Sequence, residues 1–179
     1  ELLVVIDNTI VNVAIPTFAR DLNASTTGLQ WIVDAYTLAF ACLLLPAGHL
    51  GDRIGRRRVL VIGLAAFGVV SGATALCTTL DAVTTCRALL GICAALVYPA
   101  TLSLIMTTFE GSSRKGLAVG LWAATSGLGI ALGPILGGLL LEHFSWESIF
   151  WVNVPLALIT VPAVLVAVPE SRSSEKARF

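Results

Sequence analysis

Six long apolar stretches divide the chain, at residues 2–18, 31–50, 59–76, 82–108, 116–141 and 148–168. Each is close to or above the roughly 20 apolar residues that carry an α-helix across the hydrocarbon core of a bilayer. Short segments rich in charge, Gly and Ser separate them. No segment alternates polar and apolar residues as a membrane barrel strand does, which excludes a β-barrel. The pattern predicts an all-α membrane protein. Residues 1–168 form one bundle of six transmembrane helices in contact with membrane lipid, and residues 169–179 form a polar tail.

Only 12% of the residues are charged, about half the share found in a soluble domain. Soluble, disordered and disulfide-framework classes are thereby excluded. Eleven basic and eleven acidic residues cancel, so no cationic surface argues for a nucleic-acid partner. Cys42, Cys77, Cys86 and Cys93 show no CxxC spacing and no histidine cluster accompanies them. A metal site is not expected, nor a cofactor. Cys77 and Cys86 flank the third connecting segment. A disulfide there is geometrically possible, while membrane cysteines are more often small apolar packing residues.

Basic residues set the orientation. The second connection carries Arg53, Arg56, Arg57 and Arg58, the fourth Arg114 and Lys115, and the tail Arg172, Lys176 and Arg178; the odd connections hold Arg20 alone. Positive charge is retained on the cytoplasmic side, so the N-terminus, the even connections and the tail are expected there. No basic segment precedes the first apolar run and no small-residue cleavage site follows it. A cleavable signal is therefore not expected, and the natural chain is expected to extend before Glu1.

Asp7, Asp34 and Arg87 fall inside apolar stretches. Each costs roughly 2.5–3.5 kcal/mol at mid-membrane, which makes intramembrane charges functional candidates by default. The alternative is a silent structural ion pair, or a side chain snorkelling to the interface. Counting helical rise puts Asp34 and Arg87 roughly 5–8 Å below the outer surface, where they can pair, and Asp7 roughly 16 Å deep. On that count Arg87 is too shallow to serve Asp7 by itself. Asn8 and Asn12 extend Asp7 into a polar arc that must face protein or water. Arg87, Gly91, Ala94 and Tyr98 share one stripe at helical spacing.

Ordered motifs narrow the reading. Gly48-His49-Leu50-Gly51-Asp52-Arg53-Ile54-Gly55-Arg56-Arg57-Arg58 resembles the G-x-L-a-D-r-x-G-r-r loop of the major facilitator superfamily. Gly120, Gly129, Gly133, Pro134, Gly137 and Gly138 fit the G-x8-G-x3-G-P-x2-G-G pattern of its drug:H+ antiporters. Residues 6–16 are similar to the D-x-T-i-V-N-v-A-l-P segment of the fourteen-helix exporter branch. Residues 146–155 are similar to that branch's W-r-x-i-F-x-i-N-v-P segment, with Glu147 where a basic residue is common. Arg87-Ala88-Leu89-Leu90-Gly91 resembles R-x-x-q-G, with Leu90 in place of glutamine.

The resemblance implies the N-terminal six-helix half of such a transporter, built as a 3+3 inverted repeat, with the substrate cavity shared with a missing C-terminal half. It implies proton-coupled efflux of small amphipathic, often cationic drugs, commonly across a bacterial inner membrane, and no enzymatic activity. Asp7, Asp34, Arg87, Asn12 and Tyr98 are the expected proton-coupling and substrate residues. Gly48, Asp52, Arg53, Gly55, Arg56 and Arg57 form the expected cytoplasmic gate, and the glycine series of the fifth span the conformational seam. A sugar or nutrient porter of another branch, or a stand-alone six-helix regulatory subunit, is the alternative. Asp7→Asn is expected to abolish cation efflux while sparing expression.

Overall fold

The computed structural model describes residues 1–170. The chain forms α1 (Leu2–Asp21), α2 (Thr26–Ile54), α3 (Arg56–Thr74), α4 (Leu80–Thr108), α5 (Lys115–His143), α6 (Ser148–Trp151) and α7 (Asn153–Ala167). Six of these units are long and apolar enough to cross a membrane, α6 and α7 counting together as Ser148–Ala167. The predicted bundle is thus observed. No strand occurs among the described residues. The basic tail residues Arg172, Lys176 and Arg178 lie outside them.

Several boundaries differ from the apolar stretches, because helices continue past the hydrophobic region into capped, polar turns. Ser25 caps α2 by accepting a hydrogen bond from the Gly28 amide, and Thr79 caps α4 through the Ala82 amide, satisfying donors that the first turn leaves open. The second connection, expected as a loop, is almost entirely helical: only Gly55 separates α2 from α3. Its φ of +118° is reached readily only by glycine. The sixth span is interrupted at Val152. Pro155 explains the break, since it has no N–H to give the Trp151 carbonyl.

The helices pair as α1 with α5, α2 with α4, and α3 with both α4 and α7. Exchanging the first three spans with the last three maps the α1–α5 pair onto α4–α2 and α3–α7 onto itself, as an inverted repeat requires, whereas the α3–α4 pair has no equally close counterpart between the sixth span and α1. Both major crossings are made close by glycine. A Cβ on Gly91 would strike the Tyr36 carbonyl and lie 3.0 Å from the Ala39 Cβ, while Cβ atoms on Gly129, Gly133 and Gly137 would meet Val5, Thr9 and Ile10. Without lipid-excluded water to drive association, such backbone proximity supplies the packing energy.

Burial is uneven. Among the apolar windows, α1, α3 and α4 bury 44%, whereas α2 and α5 bury 11% and 17%. The core therefore sits between α1, α3, α4 and the sixth span. Phe18, Trp146 and Phe150 close one end of it, with ring centroids 5.3–6.5 Å apart.

Candidate functional site

Gly91 determines where the buried charges meet. Because α2 crosses α4 against that glycine, Arg87, one helical turn earlier, is pressed against α2. Its Nε donates to the Ile32 carbonyl at 3.2 Å, and its guanidinium carbon lies 4.1 Å from the centre of the Tyr36 ring, a cation–π distance. Nη1 reaches Asp7 Oδ2 at 2.7 Å. Asn153, the first residue of α7, donates from Nδ2 to Asp7 Oδ1 at 2.8 Å and to Ser71 Oγ at 3.0 Å. Ser71 in turn donates to the Phe150 carbonyl at 2.9 Å.

Asp7, Arg87, Asn153 and Ser71 are all 0% exposed. Side chains of α4 and α7 thus meet the carboxylate of α1, and α3 joins them through the Ser71–Asn153 bond. The network is not saturated. Arg87 Nη2 and Asn153 Oδ1 have no hydrogen-bond partner among the described residues, and each such group costs about 1–3 kcal/mol when buried. A neutral-overall ion pair with spare donors and acceptors can exchange partners when a proton or a helix moves.

Beside this network a cleft of 370 Å³ opens between α1, α2, α4 and α5, lined in part by Asn8, Thr9, Tyr36, Phe40, Tyr98 and Ser126. Tyr36 stacks on Phe40, Phe40 meets Tyr98 edge to face, and Tyr98 meets Trp122, with centroids 5.2–6.4 Å apart. Of this aromatic ladder, Tyr36, Phe40 and Tyr98 line the cleft wall. The Glu1 carboxylate accepts hydrogen bonds from Thr125 and Ser126 near it.

At the α2–α3 turn, Arg56 donates twice to Asp52 Oδ1, at 2.9 and 2.7 Å, and again to the Thr107 hydroxyl of α4. Arg57 caps the end of α7 through the Val168 carbonyl at 3.1 Å. Glu170 accepts from the Arg57 amide at 3.2 Å and pairs with Arg58 at 3.6 Å. A side chain at Gly55 would collide with the Glu170 carboxylate, so the turn is a latch among α2, α3, α4 and the end of α7.

The sequence profile of the Major Facilitator Superfamily matches residues 1–179. The chain belongs to that superfamily. Its six long apolar helices accord with an integral membrane member of that superfamily. It is 46% identical over 178 residues to the multidrug efflux pump LfrA of Mycolicibacterium smegmatis, covering 99% of this chain and 35% of that protein. It is 45% identical over 166 residues to the methyl viologen resistance protein SmvA of Salmonella typhimurium, covering 93% and 34%. A tetracenomycin C resistance and export protein of Streptomyces glaucescens is 40% identical over 172 residues, covering 96% and 32%. The chain thus spans about a third of the length of these curated relatives.

Within this superfamily member, the geometry corrects three expectations. Arg87 is not too shallow for Asp7 but bonded to it. The count from helical rise assumed parallel rods with level ends. Yet α4 begins earlier than its apolar run, membrane helices tilt, and an arginine stem is long. Asp34 does not pair with Arg87; it is exposed on α2 and has no ion pair among the described residues. The polar arc is divided: Asp7 points into the core, Asn8 lines the cleft, and Asn12 is exposed, donating only to the Asn8 carbonyl at 3.3 Å.

Tyr98 does line the cleft, and Gly129, Gly133 and Gly137 do form one face against α1, whereas Gly120 and Gly138 face open space. Gly48 and Arg53 make no close contact that requires them: a Cβ on Gly48 would lie 3.7 Å from Pro99, and Arg53 is exposed. Asn153, Ser71 and Tyr36 were not anticipated. Asn153 alone carried a signal, as a polar residue within the sixth apolar stretch, directly before Val154-Pro155.

Proposed function

We propose that this chain is the N-terminal half of a proton-coupled drug exporter of the fourteen-helix branch, its cytoplasmic side marked by the α2–α3 turn and its C-terminal half completing the cavity. The observation that carries this reading is the fully buried Asp7–Arg87–Asn153 network beside an aromatic cleft. Drug efflux is supported by the relatives, LfrA being a multidrug efflux pump and SmvA a methyl viologen resistance protein.

In this mechanism Asp7 is the proton carrier. Ionised, it holds Arg87 and Asn153, and the four helices stay drawn together. Protonated, it no longer compensates the guanidinium, which turns toward other acceptors and loosens α1 from α4. One inward proton gains about 2.3 kcal/mol per 100 mV of membrane potential, enough to bias such an exchange. Phe40 and Tyr98, which line the cleft, offer aromatic surface to a flat amphipathic or cationic substrate. Asp34, exposed on α2, supplies attraction for cations at the cavity surface. In the bacterial inner membrane the substrate leaves outward as the proton enters.

The deciding experiment uses the full-length parent in proteoliposomes with an imposed pH gradient. A fluorescent planar cation should be transported against its gradient only while the proton gradient lasts. Downhill flux insensitive to pH would overturn the antiport reading in favour of a facilitator.

The α2–α3 latch carries its own prediction. Asp52→Asn removes the negative charge that pairs with Arg56 beside Thr107, a partly exposed pair worth little to stability. Drug efflux by the full-length protein should fall several-fold at unchanged membrane abundance, measured by efflux assay and immunoblot. Unaltered efflux would leave the turn with only a topological role.

A further inference from the structure

The turn between α3 and α4 brings two thiols together. Cys77 follows α3 by three residues and Cys86 lies in the second turn of α4; their Sγ atoms are 3.8 Å apart and share a hydrogen bond. Both side chains are half-buried, and neither is disulfide-bonded in this structure. Cys42, exposed on α2, and Cys93, buried in α4, have no thiol contact among the described residues. Two thiols already in contact across a turn are a starting arrangement for an S–S bond of about 2.03–2.05 Å.

We propose that Cys77 and Cys86 are an oxidative modification site, a dithiol that a disulfide-class oxidant closes into an intramolecular bridge. One thiol loses its proton and attacks a sulfur of the oxidant, breaking the oxidant's S–S bond and releasing its first thiol. A mixed disulfide results. The second protein thiolate attacks the protein sulfur of that bond, forms the Cys77–Cys86 bond and releases the second oxidant thiol. Two electrons pass to the oxidant, and the two protein protons end on its two thiols.

Burial, then the hydrogen bond with Cys86, pushes the Cys77 thiol up to about 11. It is therefore largely protonated at neutral pH, which slows alkylation and disulfide exchange alike, so the bridge is read at the end point rather than as a rate. The bridge would tie the last helix of the first repeat to the first helix of the second. The pair's geometry is independent of the transport reading. The compartment it faces rests on the proposed orientation, which puts this turn opposite the basic α2–α3 turn and on the oxidising side.

The test treats full-length protein in native membranes with oxidised glutathione, then denatures, alkylates, digests and weighs the peptides. A Cys77–Cys86-linked peptide should appear, disappear on dithiothreitol treatment, and be absent from Cys77→Ser and Cys86→Ser. Complete alkylation of both thiols after oxidant, in protein opened with detergent as well as in membranes, would overturn the site. Oxidised glutathione does not cross the membrane, so vesicle orientation separates the two ideas. Bridging in right-side-out vesicles supports both; bridging only in inside-out vesicles keeps the dithiol site and overturns the orientation.

Discussion

Asp7→Asn in the full-length exporter should abolish efflux of cationic substrates and should also lower the thermal stability of the purified protein. The second effect departs from what the sequence alone suggests. Asp7 is the acceptor for a guanidinium that is 0% exposed. Removing one member of a buried pair strands the other charge, at a cost of about 3–5 kcal/mol. The double variant Asp7→Asn/Arg87→Gln removes both charges and should recover most of the stability, because two neutral amides can hydrogen-bond where the ion pair stood.

Coupled efflux should not return in the double variant, since no carboxylate remains in the buried network. Neutral substrates, which need the cleft but not its charge, should survive in it better than cations. Thermal unfolding in detergent and proton-driven uptake into inside-out vesicles measure the two effects separately. If Asp7→Asn retains pH-dependent cation efflux at the parental rate, the network is structural. Asp34 then becomes the leading proton site.

The second large effect is expected in the α5 glycine series, and it is position-specific. A Cβ at Gly133 would lie 2.8 Å from the Thr9 Cβ and 3.2 Å from the Ile10 amide nitrogen, besides striking the Thr9 hydroxyl. Thr9 has little room to turn, because that hydroxyl donates to the Val5 carbonyl at 2.9 Å and lies 3.2 Å from the Gly129 carbonyl. Gly133→Val must therefore force α1 away from α5. It should abolish efflux and reduce membrane abundance, as overpacking typically costs about 1–3 kcal/mol or more.

Gly120→Ala and Gly138→Ala add a methyl group to open space and should leave abundance unchanged. Any loss of efflux in those two would point to contacts outside this half, on the exposed face of α5. Equal abundance across all the variants would remove the packing explanation for the motif. Pro134 has a different part in the same stretch: it removes the donor to the Ile130 carbonyl, while α5 continues through it to His143.

The six spans were legible because membrane insertion is decided by local chain chemistry. Twenty apolar residues must form a helix when no water is present to hydrogen-bond the backbone. The α5 glycines were legible for a related reason, since their spacing of four places Gly129, Gly133 and Gly137 on one face whatever the surroundings. The Asp52–Arg56 bridge is likewise a neighbour relation within one segment.

Pairing across helices was not legible in the same way. Asp7 and Arg87 are 80 residues apart and Asp7 and Asn153 are 146 apart. Nothing in a one-dimensional count fixes how far one helix slides or tilts against another. The sequence by itself determined that three charges fall inside apolar stretches and that glycine faces would bring helices close. Only the tertiary structure decided which acid received the arginine. Gly91 lets α2 press on α4, which holds Arg87 toward α1, and the Pro155 break sets Asn153 at the start of α7 against the same carboxylate. Partner choice follows from crossing geometry, and crossing geometry follows from contacts made by every helix at once.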